Sequence, residues 1–297
     1  MDKVNVKQVF LITILLIFWG TFSSISKLLL NGYDSISLLF FMYLSSAAAI
    51  TVYMTATRKI KRIARMSRRE IILYSLISLF SFLYYLLYFL ALKQAPAIEI
   101  TTINYLFPIL IALLSVPINK EKFSFKTAIS LFLGFTGVII IVSGGNLSTI
   151  SFTNIKADIL IFLGALFWSF LSTFSKRIVK DQENFTFIAI IVQFLTCIVI
   201  LPFFTKITLP DLTQFLGVTW LGVSNLVICF LIWLHLVSTL KTSTVASIAF
   251  LTPFVNLIAI VLILGEKLTI AGLVGFIVIV LGIVFQQMRP VKMRKLQ

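Results

Sequence analysis

Charge is scarce in this chain, and carboxylates are the scarcest part of it. Of 297 residues 12% are charged, ten of them Asp or Glu, whereas soluble domains carry about a quarter. Sixty per cent are hydrophobic, more apolar surface than a water-soluble core of this length can hide. There is one histidine, His235, and two cysteines, Cys197 and Cys229, each inside an apolar run. That excludes a disulfide framework and a zinc site with paired ligands, so both cysteines read as packing residues and no metal or cofactor is expected. No ATP-binding motif occurs. No polar stretch is long enough to form a soluble domain; the longest are Arg58 to Arg69, Ser143 to Lys156 and Lys176 to Asn184.

What is present is a succession of apolar runs. A hydrocarbon layer about 30 Å thick takes roughly 20 residues per helix, so ten spans need about 200 residues and leave short connectors. The runs place spans one to five near 8–30, 36–57, 70–92, 96–118 and 126–143, and spans six to ten near 157–177, 185–205, 213–237, 244–264 and 268–287. Breaks such as Asn31-Gly32-Tyr33-Asp34, Lys93-Gln94-Ala95-Pro96 and Ser143-Gly144-Gly145-Asn146 favour chain reversal. Lys3 and Lys7 precede a run without a small-residue cleavage pattern, which reads as a retained first span.

The formal charge is +15, but the basic residues lie between apolar runs and form no patch for nucleic acid. With the N-terminus inside, the cytoplasmic segments hold twenty Lys and Arg and the outer segments five, Lys27, Lys93, Lys156, Lys206 and Lys267. That asymmetry predicts a multi-pass protein of the cytoplasmic membrane, with both termini cytoplasmic.

The two halves repeat. At an offset of 149, Phe18, Trp19, Ser23, Ser26 and Lys27 match Phe167, Trp168, Ser172, Ser175 and Lys176. At an offset of 145, Leu106, Pro108, Val116, Ile118, Glu121, Lys122 and Gly137 match Leu251, Pro253, Val261, Ile263, Glu266, Lys267 and Gly282. Five spans is an odd number, so the second copy enters the membrane from the opposite side. The expected fold is therefore an all-α integral membrane protein, with residues 1–145 and 146–297 as two inverted five-helix repeats. In such folds the substrate site lies near the midplane between the copies.

The Phe-Trp-Gly of span one, the run Ala91-Leu92 through Ala95-Pro96-Ala97 to Tyr105-Leu106-Phe107-Pro108, and Gly265-Glu266-Lys267-Leu268 resemble the drug/metabolite transporter superfamily, in its EamA-type permease branch. The resemblance covers essentially the whole chain. It implies a central cavity lined mainly by spans 1, 3, 4, 6, 8 and 9, with spans 5 and 10 set apart. Lys241-Thr242-Ser243 departs from the family's Ala-Pro-Ala-like entry to span nine.

Candidate site residues follow from polar and aromatic groups inside spans. Trp19, Ser23 and Lys27 share a face of span one, and Trp168, Ser172 and Lys176 repeat it on span six. Cavity lining competes here with plain helix packing through small residues, and the two lysines read as snorkelling to water. Tyr84, Tyr85 and Tyr88 lie with Ser81 along one side of span three, too deep for an interfacial belt, where they can stack on a ring or cage a cation. The midplane amides Asn104, Asn225 and Asn256 are costly to leave unpaired in hydrocarbon. Glu99 is the one carboxylate placed clearly within a span, and intramembrane acids point to function. Glu99 is expected to gate with Lys27, its nearest candidate partner, or to carry a proton as coupling ion. Glu121 and Glu266, just before spans five and ten, read as structural groups at positive helix ends. Ser130, Gly137, Gly275 and Gly282 give those spans small-residue faces for internal packing or for a homodimer.

The leading expectation is a secondary transporter moving a small organic metabolite, such as an amino acid or amine, by alternating access, with export as its direction. A facilitative exchanger, or an uptake carrier for nucleotide-type or phosphorylated solutes, is the alternative. A membrane-embedded enzyme would need clustered acids and histidines, whereas Glu99 and His235 lie toward opposite faces.

Overall fold

The computed structural model describes residues 5–30, 32–150, 152–205, 209–264 and 269–287; the side chains of Ser23, residues 259–264 and Gln287 fall outside that description. Lys3, Lys206, Gly265, Glu266, Lys267 and Leu268 also lie outside it. The described chain is helical throughout. In order the helices are α1 (Val6–Leu30), α2 (Ser35–Ala56), a short α3 (Ile60–Ile63), α4 (Arg68–Gln94), α5 (Ala97–Asn104), α6 (Phe107–Asn119) and α7 (Phe125–Val142). The second half runs α8 (Ile155–Ile178), α9 (Gln182–Phe204), α10 (Leu212–Trp220), a π-helical stretch (Leu221–Cys229), α11 (Phe230–Thr239), α12 (Thr242–Ala249), α13 (Thr252–Leu264) and α14 (Ile270–Gln287). Among the described residues eight stretches are long and apolar enough to cross a membrane, and two shorter apolar helices, Thr242–Ile258 and Ile270–Gln286, fall at the two remaining expected segments.

Much of the scarce acid is spent on helix starts. Asp34 accepts from the amides of Ile36 and Ser37 at α2, and Ser67 and Glu70 form a reciprocal capping box at α4. Asp181 and Asp211 cap α9 and α10. Each satisfies backbone donors that a helix leaves unpaired in its first turn.

Two spans are broken in equivalent places. Pro108 has no N–H for the Asn104 carbonyl, and Pro253 none for that of Ala249. The chain tightens just before each proline, with Leu106 N donating to Ile103 O at 3.0 Å and Leu251 N to Ile248 O at 3.0 Å. Span eight is interrupted differently, by the π-helical turns around Asn225, a departure from regular helix that often marks a functional site.

The packing exchanges under the repeat. Spans three and six (α4 and α8) pack together as span eight and span one do, and α6 packs on α8 as α13 does on α1. Spans two and seven, four and nine, and five and ten each pair with their own counterpart. Spans five and ten join through glycine: a Cβ on Gly137 would stand 2.6 Å from Gly275 O, and one on Gly275 2.6 Å from Gly137 O. The small-residue faces are thus consumed inside one chain. Large apolar side chains such as Phe132 (70% exposed) and Leu76 (57%) cover the outside, as lipid-facing surfaces require.

Candidate functional site

The interior holds a cavity of about 680 Å³. Its wall includes residues from α1 (Trp19, Ser24, Lys27), α4 (Tyr84, Tyr85, Tyr88), α5 (Thr101, Asn104), α8 (Trp168), the π-helical stretch (Asn225) and α13 (Asn256). Every span that the family resemblance implied contributes. Span five also reaches the wall, through Ile141 and Val142 at the end of α7. The wall extends from the middle of α1 at Trp19 to its last turn at Lys27 and Leu28, where Leu28 is 71% exposed. The exposed lining residues Ser24, Lys27, Leu28 and Ile98 gather toward that end, which makes it the mouth.

Aromatic rings build the floor. Trp19 lies 5.1 Å from Trp233 and 6.1 Å from Trp168 between ring centroids, and Tyr84 lies 5.0 Å from Trp168. Ser172 is fully buried and does not line the cavity: its hydroxyl donates to Trp168 O at 2.8 Å and accepts from Trp233 Nε1 at 3.0 Å. Its work is to hold Trp233. Trp233 escaped the sequence reading, although its position eight residues after Asn225 on the same span was a usable signal. Ser23 is on α1 between the cavity residues Phe22 and Ser24, with its side chain outside the described set.

The amides are asymmetrically satisfied. Asn225, 1% exposed, donates Nδ2 to Ser224 Oγ at 2.8 Å while its Oδ1 has no partner. Asn104, 8% exposed, also leaves Oδ1 unpartnered. Asn256 Oδ1 accepts from Ser24 Oγ at 3.3 Å. Ser81 lies off the cavity wall and is bonded by the Gln193 amide, which also donates to Ser78 O at 2.7 Å, binding α4 to α9.

The expected pairing of Lys27 with Glu99 is not formed. Lys27 Nζ donates to Leu92 O at 3.1 Å, and among the described residues it has no carboxylate partner. Glu99, 1% exposed, accepts instead from Thr153 N at 2.9 Å, Thr153 Oγ1 at 2.7 Å and Asn154 N at 3.3 Å, and it faces the Asp158 carboxyl. The backbone donors just before α8 are nearer than any lysine, so a carboxylate read as a gate is the anchor of that loop.

At the opposite end the counterpart lysine is paired. Lys176 Nζ donates to Glu121 Oε1 at 2.8 Å and to Leu240 O at 2.7 Å. The same Oε1 accepts from Thr242 N at 3.0 Å and Thr242 Oγ1 at 2.7 Å. Glu121 therefore serves the start of α12, not that of α7, which Ser124 caps. Burial pushes the Glu121 carboxyl up, but the bonds from Lys176 and Thr242 outweigh it, and the net direction is down from the usual carboxylate range. This cluster joins α8, α12 and the loop after α6 and closes that end. The departure at Lys241-Thr242-Ser243 supplies the hydroxyl that completes it.

Comparison with known proteins agrees with this architecture. The chain is 23% identical over 274 residues to "Uncharacterized transporter YyaM" of Bacillus subtilis (strain 168), covering 90% of this chain and 89% of that one. It is 24% identical over 287 residues to an "Uncharacterized transporter" of Archaeoglobus fulgidus, covering 94% and 96%. A solved crystal structure superposes with a TM-score of 0.78 over 95% of this chain and 96% of its own, at 19% identity, a likeness of fold. The EamA-like transporter family matches residues 6–143 and again residues 155–286, and the chain belongs to that family.

Proposed function

We propose that the protein is a secondary transporter of the cytoplasmic membrane that carries a small organic metabolite by alternating access, with residues 1–145 and 146–297 rocking about the central cavity. One observation carries the reading: the cavity opens at the Lys27 end and is sealed at the other by the Lys176–Glu121–Thr242 cluster. The repeat makes the ends comparable. Lys27 and Lys176 are counterparts, and each donates to a carbonyl at the end of a neighbouring helix, Leu92 or Leu240. One has a carboxylate partner and the other has none among the described residues. Opening the sealed end requires breaking the Glu121 bonds, so this cluster is the inner gate. The Lys and Arg asymmetry supports a sealed end at the cytoplasm with both termini inside, and on that reading the open end of the cavity faces outward.

The purified protein in liposomes tests this. Preloading with a substrate should accelerate entry of the labelled compound, since a carrier exchanges through one alternating site. Flux proportional to gradient at all concentrations, without counterflow, would identify a channel and refute the proposal.

A further inference from the structure

Resting on the transport reading, we propose that the cavity takes a planar organic monoanion: an aromatic or heteroaromatic ring bearing an N–H or O–H donor, with a carboxylate directed to the mouth.

Charge comes first. Among the described residues, Lys27 is the one charged side chain on the wall. Glu99 is absent from the wall and already accepts three bonds. A cationic solute would meet a like charge and, among the described wall residues, no counter-charge. A single ammonium balances a single negative charge. A phosphate dianion would carry an uncompensated charge into the membrane, which is costly.

The second feature is the direction of the missing hydrogen bonds. The Oδ1 atoms of Asn104 and Asn225 both lack partners, and Asn225 has already committed its amide nitrogen to Ser224. Acceptors buried this deeply are satisfied by donors, so a ligand bearing an N–H or O–H supplies what both lack, and one without it leaves them unpaired.

The third is shape. Rings of Trp19, Trp168, Tyr84 and Tyr85 border the cavity, in tilted and edge contacts with one another. Such walls favour a flat, polarisable ring. A volume of about 680 Å³ accommodates one ring-bearing metabolite with some water. Lys27 lies eight residues beyond Trp19 on α1, a rise of about 12 Å. A ring at the floor thus leaves its acid within reach of the extended lysine.

The test uses the full chain in detergent and four probes, read by calorimetric titration. Indole-3-acetate, indole-3-acetamide and tryptamine keep the ring and change only the charge; cyclohexylacetate keeps the acid and removes the ring. Indole-3-acetate should bind at least about tenfold more tightly than each of the others, the scale of one charged hydrogen bond. Lys27→Met should abolish its preference over the amide, with an unchanged thermal unfolding transition reporting an intact fold, and Lys27→Arg should restore it. Asn225→Leu should weaken binding of indole-3-acetate and of indole-3-acetamide. Tighter binding of tryptamine, an undiminished preference in Lys27→Met, or no binding of any probe at millimolar concentration would overturn the proposal. Counterflow of the bound probe in liposomes separates the two readings. Binding without counterflow would leave the ligand class standing and refute transport, whereas counterflow of some other solute without probe binding would do the reverse.

Discussion

Replacing Glu121 by Gln perturbs the sealed end with almost no change of volume. The amide oxygen can still accept from Thr242 N and Oγ1, so the loss concentrates on the bond from Lys176, 2.8 Å long between side chains 24% and 12% exposed. A charge-assisted bond is worth about 1.5–3 kcal/mol and a neutral one about 0.5–1.5 kcal/mol. The sealed end is therefore weakened by about 1–2 kcal/mol, a factor of about 5–30 in the ratio of closed to open. The assay is the reaction rate of a maleimide with Ser115→Cys, in a background lacking Cys197 and Cys229. Ser115 is 1% exposed, and its carbonyl accepts from Glu121 N at 3.2 Å, which places it directly beneath the cluster. Reactivity should rise by that factor in Glu121→Gln. The same cluster gives a pH dependence. Because the carboxyl is held below its usual range, its contribution is fully present above the ordinary Glu value and is lost as pH falls through the lowered one. Acid below the usual carboxylate range should thus raise Ser115→Cys exposure in the wild-type gate but not in Glu121→Gln. Unchanged labelling in Glu121→Gln would refute the gate.

Gly137→Ala should lower thermal stability by about 1–3 kcal/mol through overpacking, because its Cβ would stand 2.5 Å from Ile279 Cγ1 and 2.6 Å from Gly275 O; an unfolding scan reads this directly. Ser172→Ala removes the acceptor for Trp233 Nε1 and should cost about 1–3 kcal/mol in stability and weaken uptake, whereas Ser172→Leu, with no space to fill, should fail in expression as well. Glu99→Gln replaces the charged acceptor of the bonds from Thr153 and Asn154 and should lower thermal stability by about 1–2 kcal/mol, the difference between charge-assisted and neutral bonds; an unchanged unfolding transition would refute its role as the anchor of the loop before α8.

The spans, the repeat and the cavity-facing aromatics were legible because they are properties of single helices. Apolar length marks a span, and a face repeats at helical spacing. Two span breaks could be suspected from Pro108 and Pro253, but the π-helical turns at Asn225 had no comparable marker. Partnerships were harder to read. Glu99 and Lys27 approach the same side of the membrane, yet their bonds are decided by the loop before α8 and the end of α4, segments far away in sequence. Ser172 shows the same limit: its face was readable, but the choice between cavity and Trp233 depends on a neighbouring helix. Glu121 was placed at the correct kind of position, a positive helix end, but on the wrong helix.

The central claim is that one cavity is exposed to each side in turn, and a single cysteine in that cavity tests it most directly. Thr21, on the wall near the middle of α1, is replaced by Cys in a background lacking Cys197 and Cys229. Membrane-impermeant maleimide is then added from either face of oriented vesicles. The account predicts labelling from the outer face in the otherwise wild-type protein, and a gain of labelling from the cytoplasmic face, with a matching loss from outside, when Glu121→Gln is added. Labelling from both faces at once, or from one face whatever the state of Glu121, would contradict it.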